Sequence, residues 1–144
     1  MNFWWFGLFF VPLQPQNLIA LSVMLAKETK VYRDTLLFVD ELMKVTINFK
    51  REYRRTLAER LENKSLELID YIVLANSSRE YRLHYLQQFT VCFEQVNALM
   101  DLSVRRRQVS LKQEANLARM MEGIGRQISG WKKSAGERQS QGAP

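Results

Sequence analysis

The sequence predicts an all-α protein, an antiparallel up-down-up-down four-helix bundle. Three observations predict it. Apolar residues recur at three- and four-residue spacing from residue 16 onward, which is the helical period and not the strand period. Only three Pro and six Gly punctuate 144 residues, and turn-forming clusters separate long helical stretches of similar length. Hydrophobic content of 47% with 25% charged residues is that of a folded chain with one core rather than a disordered or fibrous one.

The chain divides into an apolar N-terminal extension over residues 1–15, a bundle over residues 16–134 and a flexible polar tail over residues 135–144. The extension holds the run FWWFGLFFVPL at residues 3–13, about half of what a bilayer-spanning helix needs. It lacks the basic start and small-residue cleavage site of a secretory signal. Three readings stay open: a weak membrane or partner anchor, a packed extension of the first helix, or a start the native protein does not use, with Met24 as the alternative. The second and third are favoured, so no membrane contact is expected unless residues 1–15 are native and exposed.

Asn17 is a candidate N-cap for helix one, with Leu25, Tyr32, Leu36, Val39 and Met43 as its inner seam to about Asn48. Helix two is expected from about Arg51 to Ala75, burying Leu57, Leu61, Leu68, Ile72 and Ala75. Asn76, Ser77 and Ser78 form the clearest turn, with a serine free to cap the next helix. Helix three buries Leu86, Phe89, Phe93, Val96 and Met100 and ends in Arg105, Arg106 and Arg107. Ser110 and Gln113 form a capping box for helix four, whose seam is Leu117, Met121, Ile124, Ile128 and Trp131. Helices of roughly 25 residues extend about 37 Å each.

No catalytic constellation is found. The single His84 is not part of a Glu-x-x-His pair, and no glycine-rich phosphate loop follows a strand. Cys92 and His84 lie two turns apart, about 12 Å along a helix, too far for a nucleophile–base pair. Cys92 reads as a small core or interface residue and His84 as a rim residue. The expectation is a protein that is not an enzyme and holds no metal or cofactor. A lone cysteine, unable to form an intrachain disulfide, favours a reducing compartment such as the cytoplasm.

The positive signal is charge. The 21 Lys and Arg outnumber 15 Asp and Glu, a net charge of +6, and residues 1–26 carry no charged side chain. Lys112, Arg119, Arg126 and Lys133 recur every seven residues, opposite the seam of helix four. Lys50 and Arg51, then Arg54 and Arg55, open helix two, where the helix dipole opposes them. The charge placement favours binding to nucleic-acid phosphates, with solubility or protein contacts as the alternative. No side chain reads as a base-specific contact, so binding to nucleic acid is expected to be weakly sequence-selective. Gly123, Gly125 and Gly130, beside Trp131, favour close packing by another helix or a second subunit, local fraying being the alternative.

The stretches FKREYRRTLAERLENKSLELIDYIVLANSS and EGIGRQISGWKK resemble the four-helix-bundle proteins related to the ribosomal intervening-sequence proteins of bacteria. Within that group the chain resembles the accessory variability determinant (Avd) proteins of diversity-generating retroelements, from about Lys27 to Lys133. The resemblance implies a homopentameric barrel of bundles. It implies a non-catalytic partner of a reverse transcriptase that binds template RNA and cDNA and supports mutagenic copying. Matching positions for nucleic-acid contact are Arg51, Arg54, Arg55 and Arg126. Lys112, Arg119, Lys133, Arg105, Arg106 and Arg107 are added from charge placement. The alternative is an oligomeric helical scaffold of the intervening-sequence type without nucleic-acid binding.

Overall fold

The structure, a computed structural model, describes residues 15–142, which form helices joined by short turns with no strand among them. The expected extension thus falls, apart from Pro15, outside the described residues. Helix α1 runs Pro15–Lys27 and α2 Lys30–Thr46. A 3-10 turn at Arg51–Tyr53 and a π-helical turn at Arg54–Ala58 lead into α3, Glu59–Ser77. Then come α4, Arg82–Arg105, and α5, Leu111–Gly142. The helix pairs in contact are α1 with α2, α1 and α2 with α3, α3 with α4, α4 with α5, and α5 with α2.

Helix one is thus two helices, not one from Asn17 to Asn48. Thr29 makes the break: its hydroxyl donates to the Ala26 carbonyl at 2.7 Å and accepts the Tyr32 N–H at 3.3 Å, closing one helix and capping the next. The break also re-phases the apolar face. Of the expected seam, Val39 is buried and Tyr32 half-buried against the core, but Leu25, Leu36 and Met43 are exposed; Val31, Phe38, Leu42 and Val45 are buried instead. A heptad counted from Leu25 runs through the Thr29 break, so only Tyr32 and Val39 of it reach the core.

The other seams fall where the spacing puts them. Leu57, Leu61, Leu68, Ile72 and Ala75 are buried, as are Leu86, Phe89, Val96 and Met100. So are Leu117, Met121, Ile124 and Ile128, while Phe93 and Trp131 are half-buried against this core. Phe49 plugs it from the turn after α2. Helix two does not begin as a regular α-helix at Arg51; the 3-10 and π turns carry it as far as Ala58.

Both halves of the capping box form: the Gln113 N–H donates to Ser110 Oγ at 3.2 Å, and the Ser110 N–H donates to Gln113 Oε1 at 3.0 Å. Ser78 Oγ likewise accepts the Tyr81 N–H ahead of α4. The helix of α5 does not stop near Ser134. It continues to Gly142 through the expected tail, with Ala135 buried and the Gln139 side chain donating to the Glu80 carbonyl at 3.2 Å.

A cation-rich end held by Gln108

The end of α4 sets the geometry. Arg106 caps the helix, and Arg107 takes φ 57°, the left-handed conformation that favours glycine. The Arg107 N–H donates to the Val104 carbonyl and the Gln108 N–H to the Ser103 carbonyl, each at 2.9 Å, the paired bonds of a Schellman turn. This turn aims Gln108 back across the molecule. Its Oε1 accepts the Lys50 N–H at 2.8 Å, and its Nε2 donates to the Arg106 carbonyl at 2.8 Å. One glutamine side chain thereby ties the loop before helix two to the loop after α4.

That tie gathers basic residues distant in sequence at one end of the molecule. Arg51, Arg54 and Arg55, with Glu52 and Thr56, line a surface depression of about 830 Å³. Arg105, Arg106 and Arg107 sit on the adjoining turn, and Lys112 lies in the first turn of α5. All seven are exposed, and among the described residues none of them makes an ion pair. Lys50, at the start of helix two, offers no side-chain cap, so the arginines there face a dipole that opposes them.

The remaining stripe residues do not join this group. From Lys112 to Lys133 α5 rises about 31 Å at 1.5 Å per residue, so Arg119, Arg126 and Lys133 trail away along the exposed side. Arg119 donates to Asn116 Oδ1 at 3.0 Å, and Arg126 lies 3.7 Å from the Glu122 carboxylate. The glycines divide as well. A β-carbon on Gly125 would meet the Phe93 ring at 3.7 Å, an ordinary contact, whereas one on Gly123 or Gly130 would meet nothing within 4 Å. Within one protomer neither of those two is a close approach. Trp131 instead offers its ring to Arg82, whose guanidinium carbon lies 5.7 Å from the ring centre.

Cys92 is buried, its thiol donating to the Lys64 carbonyl at 3.2 Å. Burial first, then the charge of Glu67, pushes this thiol from its usual value of 9.0 up to about 11. His84 is exposed on α4. Among the described residues no group of three or more His, Cys, Asp or Glu is placed to hold a metal ion, and no helix is long and apolar enough to cross a membrane.

Sequence reasoning missed two parts of this picture. Gln108, whose side chain organises the end, carries no charge and sits in no motif. A second arginine group, Arg79, Arg82 and Arg138, forms only because α5 continues beyond Ser134; the Arg79 and Arg82 spacing was the one available signal.

The class these features define is a small, basic, all-helical protein with a cluster of seven exposed cations at one end. Its membership is more particular: the chain belongs to the bAvd-like family, whose model matches residues 23–135. Comparison with curated proteins gives no match.

Proposed function

We propose that the protein is a non-catalytic accessory subunit of a diversity-generating retroelement. In this reading it binds the element's reverse transcriptase, together with template RNA and cDNA, and so supports mutagenic reverse transcription. Family membership supports the setting. The observation that carries the nucleic-acid part is the convergence of Arg51, Arg54, Arg55, Arg105, Arg106, Arg107 and Lys112 at one end, without ion pairs among the described residues. Unpaired exposed cations bind phosphates by releasing counterions, and they do so with little regard to sequence.

We read the helix contacts as those of an up-down-up-down bundle, and five such bundles as one barrel, working in the cytoplasm. Exposed Leu36 and Met43 on α2, with Ile47 at its C-terminal cap, support burial of that face in an assembly. Fivefold repetition would turn each basic end into part of a positive ring.

Light scattering on the purified chain, with and without a structured RNA at low and high salt, tests the proposal. A pentamer mass with RNA association that weakens steeply with salt is the expected result. An oligomer indifferent to RNA at every salt concentration would overturn the nucleic-acid part and leave the helical scaffold.

A further inference from the structure

The opposite end of the molecule carries a second cation group, which the nucleic-acid reading does not use. Arg79 lies in the turn after α3, Arg82 opens α4, and Arg138 comes from the last turns of α5. With Ala135 and Gln139 they line a cleft of about 230 Å³, and none of these five residues is acidic. Among the described residues none of the three arginines makes an ion pair.

Arg82 is held in place from two sides. Its Nε donates to the Ala75 carbonyl at 2.9 Å, and its guanidinium carbon lies over the Trp131 ring. These contacts leave the terminal N–H groups of the guanidinium for an external acceptor. Partial burial is the main influence lowering the pKa of Arg82, and repulsion from Arg138 and then Arg79 adds to it. Three like charges therefore share a cleft that partly buries Arg82, and among the described residues no carboxylate pairs with any of them. Guanidinium forks match the oxygens of a phosphate group, and several together suit a multiply charged phosphate better than a singly charged phosphodiester.

We propose that the cleft of Arg79, Arg82 and Arg138 is a binding site for a terminal phosphate or pyrophosphate group. This site is separate from the cation-rich end held by Gln108 and does not rest on the retroelement reading. The phosphate could belong to a free nucleotide-like anion or to the 5′ end of a nucleic-acid strand, which share the same chemistry.

Calorimetric titration of the full chain at constant ionic strength distinguishes these cases. The probes are sodium pyrophosphate and one oligonucleotide made with a 5′-phosphate or a 5′-hydroxyl. Saturable pyrophosphate binding is expected, weakened about tenfold by Arg79→Gln or Arg138→Gln, each removing a charge-assisted hydrogen bond. Neither residue holds a core contact, so both variants keep the parent fold, as circular dichroism checks. Arg60→Gln, an exposed charge elsewhere on α3, leaves binding unchanged. A 5′-phosphate advantage that both variants abolish would assign the site to strand ends, and pyrophosphate binding without that advantage would assign it to free phosphoanions. Non-saturable binding, or equal binding by Arg79→Gln, Arg138→Gln and parent, would overturn the proposal.

Discussion

Replacing Arg107 by glycine is expected to stabilise the protein and weaken its hold on RNA in the same step. Arg107 sits at φ 57° in the turn that ends α4. An L-residue in that conformation costs about 1–2 kcal/mol, which glycine escapes. Glycine loses more freedom on folding, which takes back about 0.5–1 kcal/mol. The net gain is about 1 kcal/mol, or about 3 °C in melting temperature for a chain of this size. None of the turn's hydrogen bonds uses the Arg107 side chain, so they survive the change. Losing one phosphate-facing charge should flatten the slope of log affinity against log salt by about 0.7–0.9. Arg107→Ala separates the two effects, since it removes the charge but keeps a side chain in the left-handed region. Thermal melts and RNA titrations across salt on all three proteins provide the assay. A glycine variant that melts no higher than the parent would refute the strain argument. Parental salt slopes in both variants would refute a phosphate role for Arg107.

Other substitutions have equally definite expected outcomes. Arg54→Ala with Arg55→Ala should reduce the RNA salt slope by up to about 1.8 while leaving the melting temperature within about 1 °C, because neither side chain makes an ion pair. Ser110→Ala should destabilise by about 1 kcal/mol in urea unfolding, because it strips half of the capping box. Gly123→Ala and Gly130→Ala should each stabilise an isolated protomer by up to about 1 kcal/mol; a loss of oligomer mass in light scattering would instead place a neighbouring subunit against them. Cys92 should resist alkylation in the native state at pH 8, since its thiol holds its proton to about pH 11. The unfolded chain ionises that thiol from about pH 9, so stability should decline between pH 9 and 11, and Cys92→Ala should remove that decline.

Local and periodic features are the ones legible in the sequence. The seams of helices two, three and four follow from residue spacing, and the Ser110 and Gln113 box follows from two residue types three apart. The division of helix one is hidden because Thr29 looks like any helical threonine until its hydroxyl is seen bonded in both directions. The helical tail is hidden because its small polar residues suggest fraying, whereas Gln139 meets the turn at Glu80, a contact across 59 positions in the chain. At the basic end every predicted cation is exposed, yet their separation into one gathered group and a trailing row depends on Gln108 and on where the loops meet. Composition and spacing carry no information about which loops share an end of the molecule.

The length of α5 has a consequence for how the two arginine groups can influence each other. Its 32 residues extend about 48 Å, and the groups lie near its opposite ends. At physiological ionic strength a charge is screened beyond about 8 Å, so neither end feels the other through solution. An anion seated at one end leaves the potential at the other unchanged, and each end can be loaded without regard to the other's occupancy. Substitutions at the two ends should then combine additively when each end binds its own small anion. A single long flexible polyanion could occupy both ends at once, gaining from tethering alone what the separate contacts would not provide.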